Sequence, residues 1–563
     1  MLTLPPRAAA EVHALAAELS ISVAAASVLV RRGHDEAVSI GKFLDPRLAD
    51  LTPPVTMKDR AEAVDRIAHA IRTSERICIF GDYDADGITS AALMTDVLRT
   101  LGAEVVTLLA DRFGGGYGLS DPAVDRVLAT GAKLVVTCDC GSSDHERLAR
   151  ARAAGVDVVV IDHHRVPPEP LPAFAFLNPH RPDCAFPYKG LASVGLAFSI
   201  CAGVRAALGR ELDMRRWLDL VAIGTIGDVA PLDGDNRALV RAGLAMLVRG
   251  GRHGTRALAE VVGCASGAPV TGEDVSFRFA PRINAPGRLG KPDLALELLL
   301  AKTDPEARML AGELDQLCQQ RKVIDRAVLA EALAMLEDPA LAALPVVVLG
   351  KEGWHQGVVG IVAGRLASLT GKPTIVIGFD GATGRGSVRG PAGFRLYDAL
   401  AQAKDAMLGF GGHQAAAGVH LEATKLTMLR EQFADACGRL GADAGEARGE
   451  DATAADALLE DGDDPAAVLR DLARLEPCGA GNPTPRFAID AARIRTAREV
   501  RGGHLAVELE VGRGTLRGFG IEMGGLAASL APGSRAHAVG KLRHDTYRGG
   551  GAVEMRLDAI EKA

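Results

Sequence analysis

Residues 76–93 read RICIFGDYDADGITSAAL, and no other stretch restricts the fold of this chain so strongly. Four apolar residues, Ile77 to Phe80, run through Gly81 into three alternating aspartates, Asp82, Asp84 and Asp86; Gly87 follows, and apolar residues at helical spacing begin at Ile88. A short β-branched run, a turn and then a helical period predict strand–loop–helix. Three carboxylates on one tight loop repel one another, so a positive partner belongs among them, and a divalent cation supplies it most simply.

Three other kinds of site share this look. Asp82-x-Asp84-x-Asp86-Gly87 copies the first half of an EF-hand loop, but Leu93 occupies the position that requires a bidentate glutamate. An aspartyl-phosphate enzyme also places D-x-D after a strand, with Asp82 as nucleophile, and the stretch alone leaves that open. So does a plain acidic turn satisfied by its own backbone amides.

The chain has 563 residues, 48% hydrophobic and 24% charged, enough for three or four ordinary globular domains. No apolar run reaches membrane-spanning length, and the N-terminal residues show no basic-then-apolar leader pattern. Nine cysteines without a CxxC pair point to a reducing cytoplasm and away from zinc, with Cys138 and Cys140 as small buried residues beside Asp139. Residues 441–467 carry nine acidic side chains and one arginine, so the net charge of −7 is concentrated there and the remainder is near neutral. A polyanion needs a local basic patch, so the charge neither excludes nor favours nucleic acid.

From Arg76 a βα rhythm sets in, with strand candidates at 76–80, 104–110, 133–138 and 157–161 and helical patterns at 88–101, 122–130 and 144–154. This alternation implies a mainly parallel sheet with helices on both faces, whose ligands bind beyond the carboxyl ends of the strands. Polar residues recur at those ends: Asp82, Asp84 and Asp86, then Asp111-Arg112, then Asp139, then Asp162, His163 and His164. LDLVAIGTIGDVAPL reads as a helix ending near Gly227, with Asp228 at its end. Adjacent loop residues project differently, so His163 and His164 can serve different partners. Imidazole mixed with carboxylate suits Mn²⁺ or Mg²⁺. The donors exceed the needs of one ion, and two ions ~3.5–4 Å apart are the usual clamp for in-line displacement at phosphorus.

GDYDADG, VTCDCG, VIDHH and GTIGDV resemble the four motifs of the DHH phosphoesterase superfamily, and within it the chain resembles the single-strand-specific 5′→3′ DNA exonucleases. FRFAPRINAPGRLG (277–290), WHQGVVGIVAGRL (354–366), GRGSVRG (384–390), GFGGHQAAAG (409–418) and LEPCGAGNPTPRF (475–487) extend the likeness over some 400 residues. The resemblance implies two-metal hydrolysis of phosphodiester bonds, releasing 5′-mononucleotides in recombination and repair. Asp84, Asp86, Asp139, His163 and Asp228 match the ligand positions, with His164 beside them and Asp82 as ligand or loop support. The aspartyl-phosphate reading loses here, since it needs neither the DHH triplet nor Asp228. The resemblance further implies that Arg112, Ser387 and Arg389 hold a 5′-terminal phosphate, with Arg282, Arg288 and His413 as further substrate contacts. Helicase and single-strand-binding protein partners, a monomer and a cytoplasmic location are implied in the same way.

The expected architecture is α/β. It comprises an N-terminal helical segment (1–50), a mainly parallel-sheet DHH catalytic domain (51–250), a connector with long helices (251–340), a smaller α/β DHH-associated domain (341–440) and an acidic segment followed by an OB-fold-like barrel (441–563). Backbone amides of GRGSVRG and GFGGHQ are expected to approach phosphates. Five strand candidates, at 486–494, 504–511, 514–520, 535–542 and 552–560, suit an OB-fold. Its loops carry Arg493, Arg495, Arg498, Arg501, Lys541, Arg543 and Arg548, with only Phe487, Phe519 and Tyr547 available for base stacking. Departures from the family are Gly115 for a glutamate, a missing asparagine near Cys318, Ser193 for a glycine and Gly227 for an alanine, which put substrate positioning in question. Two alternatives stay open: a DHH phosphodiesterase of short oligonucleotides or cyclic dinucleotides, and a non-catalytic single-strand-binding replication factor.

Overall fold

The computed structural model describes residues 2–264, 269–391, 393–412, 416–441, 454–460, 462–512, 514–545 and 551–563. Strands β1 (Ile77–Gly81), β2 (Val105–Leu109), β3 (Leu134–Cys138), β4 (Asp157–Ile161) and β5 (Ala175–Leu177) form a fully parallel sheet in the order β2-β1-β3-β4-β5. Every residue of β1 and β3 is buried, as a parallel sheet covered on both faces requires. Cys78, Phe80, Val135, Val158 and Val160 pack on one side against helices Asp121–Ala129 and His145–Ala153. The alternate residues face the layer of helices Ala85–Thr100 and Ser193–Ala207. The chain leaves β1 for β2 on one side and returns to β3 on the other, so a crevice opens at the carboxyl ends of β1 and β3.

In this sheet and its helices, boundaries fall within a residue or two of those read from the sequence, with two informative differences. The three-residue β5 is too short to show a period, and it was not anticipated. The helix after β1 starts at Ala85, three residues earlier than its apolar pattern, because Asp84 caps it: the Asp84 carboxylate accepts the amides of Asp86 and Gly87, both at 3.1 Å. Asp86 therefore lies in a helical turn instead of a loop.

Within the connector, helices His253–Val261 and Gly272–Asp274 precede one π-helical turn, Val275–Phe279; Ala280–Arg288, Asp293–Leu300 and the 32-residue helix Asp304–Met335 follow. At a 1.5 Å rise per residue that helix spans roughly 48 Å. It leads to a second sheet, ordered β6-β7-β8-β10-β9, built from β6 (Val347–Glu352), β7 (Thr374–Asp380), β8 (Thr383–Arg389), β9 (Gly409–Gly412) and β10 (Ala416–Glu422). GRGSVRG is thus mostly strand β8, paired on both edges with β7 and β10, and its backbone is committed to the ladder. This corrects its expected role as a glycine-rich phosphate cradle. Its glycines serve packing, since a Cβ at Gly384 would come within 2.4 Å of the Phe379 ring. Strand alternation leaves Arg385, Ser387 and Arg389 on one face.

A second compact unit joins the N-terminal helices Ala10–Leu19, Val23–Arg31 and Ala37–Leu44 to the C-terminal strands. There β12 (Phe487–Val500), β13 (His504–Val511), β14 (Gly514–Gly520), β15 (Arg535–His544) and β16 (Val553–Lys562) close through a β12–β15 pairing into the expected five-stranded OB-type barrel, with β11 (Ala457–Leu458) added beside β12. Val28, Leu29, Ile40 and Leu44 share one core with Phe487, Leu505, Val507 and Met555. Phe487 is fully buried, which removes it from the possible stacking surfaces; Phe519 remains partly exposed, in edge contact with His504. Arg498 and Arg517 line a small groove on the barrel beside Thr496 and Glu508. Tyr547, Arg548, His413 and much of the acidic segment lie outside the described residues.

Candidate metal centre

Gly81, Cys138 and Ile161 are partners in register across β1, β3 and β4, so the next residues, Asp82, Asp139 and Asp162, emerge side by side. Their amides continue the ladder: Asp82 to Cys138 O, Asp139 to Ile161 O and Asp162 to Leu177 O. All three are 1% exposed. Asp139 turns sharply out of its strand at φ +66°, a conformation that aspartate and asparagine tolerate better than most residues.

Helix ends supply the remaining groups. Asp86 accepts the Ser193 amide at 2.7 Å and the Val194 amide at 2.9 Å, from the start of helix Ser193–Ala207. Asp228 caps the carboxyl end of helix Leu218–Gly227, where the macrodipole disfavours an anion. Glycines allow the approach: a Cβ at Gly224 would lie 3.1 Å from Asp86 Oδ1 and 2.3 Å from Thr89 Oγ1. At Gly227 it would meet the Ala85 methyl at 2.7 Å.

His163 Nε2 faces three of these carboxylates, at 3.2 Å from Asp139, 3.7 Å from Asp228 and 3.8 Å from Asp86. Among the described residues His163 Nε2 makes no hydrogen bond, and neither does the buried Asp82 Oδ1. Three groups of ligand atoms lie mutually within 4.8 Å: Asp82 with Asp84 and Asp139, Asp86 with His163 and Asp228, and Asp139 with His163 and His164. Asp139 and His163 each belong to two of them.

The electrostatics of this cluster demand a cation. Burial, compounded by Asp84, pushes the Asp82 and Asp86 carboxyls up; burial and the neighbouring aspartates do the same to Asp139 and Asp228. Burial and the adjacent His164 hold His163 down to about 4, the neutral form that ligates metal. Oxygen donors with imidazole, two orphaned buried donor atoms and carboxylates strained by mutual repulsion fit a pair of divalent ions.

Asp162 has a different task. Its Oδ1 accepts His164 Nδ1 at 2.7 Å and the His163 amide at 2.8 Å, and its Oδ2 accepts the Ser142 amide at 3.0 Å. Burial alone would raise this carboxyl, but the His164 hydrogen bond and the imidazole charges carry it below the usual range. Burial likewise opposes charge on His164, and Asp162 and the other carboxylates outweigh it, lifting the imidazole to about 9.

Three supporting residues escaped the sequence reading. Ser193 Oγ donates to Asp139 Oδ1 at 3.2 Å, so this departure from the family touches a candidate ligand, not the substrate path. Tyr117 places its hydroxyl 3.0 Å from the Asp139 carbonyl and 2.9 Å from His164 Nδ1. Asn178, directly after β5, donates to the His164 carbonyl at 2.8 Å. For Asn178 the missing signal was the short strand; Tyr117 was visible as the aromatic residue of RFGGGYGL.

The candidate phosphate contacts divide. The Arg112 guanidinium lies 4.2 Å above the Tyr83 ring, with a buried Nε that has no partner. Arg389 holds only its own Val388 carbonyl, and Arg288 only the Gly357 carbonyl; among the described residues neither has a carboxylate within 4 Å. Burial and the charges of Arg112, Arg321 and Arg389 press Arg288 down to about 10, and burial and Arg112 lower Arg389. Arg112, Ser387 and Arg385 line one cleft of about 460 Å³ with Tyr83 and Phe113. Arg282 is not brought there: Asp315 holds its guanidinium at 2.7 Å and the Arg278 carbonyl at 2.8 Å.

Residues 76–225 match the DHH family N-terminal domain, 342–439 the DHHA1 domain and 455–559 the RecJ OB domain. The single-stranded-DNA-specific exonuclease RecJ of Bacillus subtilis is 36% identical, over 94% of this chain and 67% of the relative. The crystal structure of Thermus thermophilus RecJ in complex with Mn²⁺ superposes with a TM-score of 0.83 at 32% identity, covering 100% of this chain and 79% of that one. Its complex with Mg²⁺ gives 0.78 at 32% identity, covering 100% and 78%. The chain therefore belongs to the RecJ family of DHH phosphoesterases, the single-stranded-DNA-specific exonucleases.

Proposed function

We propose that the chain removes nucleotides one at a time from the 5′ end of single-stranded DNA, with two Mn²⁺ or Mg²⁺ ions held by Asp82, Asp84, Asp86, Asp139, His163 and Asp228. One observation carries this reading: a cluster of mutually repelling buried carboxylates lies beside arginines that have no carboxylate partner among the described residues. The two clusters adjoin, since Arg112 stacks on Tyr83, the residue after Asp82, and its charge opposes the rise of the Asp82 carboxyl.

Bound there, the cations supply the Lewis acidity that activates water and offsets charge on the phosphoryl oxygens. The protein's own groups set the geometry. Ser193 and Val194 amides fix Asp86, Ser193 Oγ fixes Asp139, and helix capping fixes Asp84. Asp162 and Tyr117 orient His164 through Nδ1, and the charged imidazole donates to a non-bridging oxygen of the scissile phosphate. Arg112, Arg288, Arg389 and Ser387 receive the terminal 5′-phosphate. A strand end anchored beside the ions presents its first internucleotide bond for hydrolysis, which gives mononucleotides and 5′→3′ polarity.

The OB-type barrel adds Arg498 and Arg517 as phosphate contacts for the trailing strand. We further propose that the enzyme acts in the cytoplasm as a monomer, receiving strands opened by a helicase and covered by single-strand-binding protein. No single described helix is long and apolar enough to cross a membrane.

Linear single-stranded, linear double-stranded and circular single-stranded DNA, labelled at the 5′ end, test this with Mn²⁺ or Mg²⁺ present. Mononucleotides released from the labelled end of linear single strands alone support it. Cleavage of circles, or release from the 3′ end first, overturns it.

A further inference from the structure

A second cavity, of about 610 Å³, is lined by Arg288, Arg365, Arg389 and Ser368 beside the apolar Ile361 and Leu369, with Gly360 and Gly364 on the same helix face. It adjoins the first through Gly360, where a Cβ would come within 3.1 Å of Ser387 Oγ and 3.4 Å of Arg389 Nη2. No side chain at 360 fills that space, and Gly364 keeps the next turn of helix Val359–Thr370 equally low beside Arg389. Arg389 lines this second cavity, Ser387 lines the first cleft, and Gly360 lies between the two side chains.

The positive charge in and around the two cavities exceeds what one terminal phosphate neutralises. Arg365 shares Asp325 with Arg321, at 3.0 and 3.3 Å, and Asp325 is 1% exposed. Arg288 and Arg389 have only backbone carbonyls. Among the described residues these four guanidinium groups, three of them lining the cavity, have one carboxylate between them, Asp325. A phosphate monoester held by Arg112, Arg288, Ser387 and Arg389 brings a charge of about −2; together with Asp325 it offsets about three of the five guanidinium groups of Arg112, Arg288, Arg321, Arg365 and Arg389.

We propose that this cavity takes the β- and γ-phosphates of a polyphosphorylated 5′ end, so that the enzyme also degrades strands that begin with a triphosphate. The proposal rests on the assignment of Arg112, Arg288, Ser387 and Arg389 to the terminal phosphate. In the first turnover, water adds to the phosphorus of the second nucleotide and the bond to O3′ of the first breaks. O3′ takes up a proton, and a nucleoside 5′-triphosphate leaves in place of a monophosphate. The shortened strand carries an ordinary 5′-monophosphate and continues as before.

Oligodeoxynucleotides of one sequence with a 5′-hydroxyl, 5′-monophosphate or 5′-triphosphate test this in single-turnover digestions by wild type, Ser368→Glu and Arg389→Ala. Wild type is expected to cut triphosphate and monophosphate ends within a few-fold of each other, with a nucleoside triphosphate as first product. Ser368→Glu places an anion in the second cavity, on an exposed position of the helix. It should slow triphosphate ends about tenfold while sparing monophosphate ends. Resistance of triphosphate ends alongside normal cutting of monophosphate ends overturns the inference and leaves the terminal-phosphate site standing. Release of a monophosphate first, or equal slowing of both ends by Ser368→Glu, also overturns it. Indifference of wild type and Arg389→Ala to the presence of any 5′-phosphate overturns the underlying site instead.

Discussion

Ser193 reaches two candidate ligands at once: its amide donates to Asp86 Oδ2 at 2.7 Å and its hydroxyl to Asp139 Oδ1 at 3.2 Å. The backbone contact is available to any residue at this helix start; the hydroxyl contact is not. Ser193→Ala keeps the first and deletes the second. Outer-shell partners of metal ligands typically tune affinity or activity by about 10–100-fold. We expect roughly a tenfold rise in the Mn²⁺ concentration needed for half-maximal cleavage, with KM for DNA unchanged. An unaltered metal titration would mean that Asp139 holds its position without the hydroxyl.

Asp139 is best tested by asparagine. At φ +66° alanine adds backbone strain of about 1 kcal/mol, whereas asparagine visits this region readily. Asp139→Asn removes one negative charge from the crowded cluster and weakens the donor shared between two ligand groups. Cleavage should fall by at least about 100-fold, strand binding should persist, and the rise in Tm that Mn²⁺ gives the wild type should shrink. Comparable turnover in this variant would exclude Asp139 as a ligand.

Which parts of this arrangement were legible beforehand follows from the distances in sequence over which each is decided. The strand ends were readable because a parallel sheet must place its polar residues at the carboxyl ends, and Asp82, Asp139 and Asp162 each follow an apolar run. The helix start at Ala85 was hidden because its apolar period begins later, while a capping carboxylate decides the boundary. Ser193 and Tyr117 act on residues 54 and 22 positions away, through contacts that no local pattern encodes. GRGSVRG suggests a phosphate cradle because glycine lets a backbone approach closely; inside a sheet the same glycines make room for Phe379 and Ile377. The arginines show the same limit. Arg282 and Arg288 stand six residues apart on one helix, yet only Arg282 meets a carboxylate, Asp315.

Arg389 decides between the two ends of a strand. Its guanidinium has no carboxylate partner among the described residues, so truncation leaves no orphaned anion and the fold should tolerate it. A charge-assisted hydrogen bond to phosphate contributes about 1.5–3 kcal/mol. Arg389→Ala should therefore lower kcat/KM for 5′-phosphorylated strands by roughly 10–100-fold. Strands with a 5′-hydroxyl should lose no more than a few-fold. Equal losses on both substrates would assign Arg389 to packing or to an internal phosphate.

Asp144 offers a pH-dependent test of the scaffold that orders the Tyr117 loop. Its carboxylate accepts the Leu119 amide at 3.0 Å, and a Cβ at Gly118 would lie 2.9 Å from its Oδ2. Burial, reinforced by the Asp162 charge and opposed by the Leu119 hydrogen bond, lifts this carboxyl to about 6. The unfolded value is about 4, so between pH ~4 and ~6 the native state binds more protons than the unfolded state. Stability then falls as pH rises through that window and is level on either side of it. Asparagine exchanges no proton, yet its side-chain oxygen still accepts the Leu119 amide. In urea unfolding at fixed Mg²⁺, wild type should gain on Asp144→Asn as the pH is lowered towards 4 and lose that advantage above 6. A difference independent of pH would show that Asp144 stays ionised throughout, and that the loop is held by a charged contact instead of a neutral one.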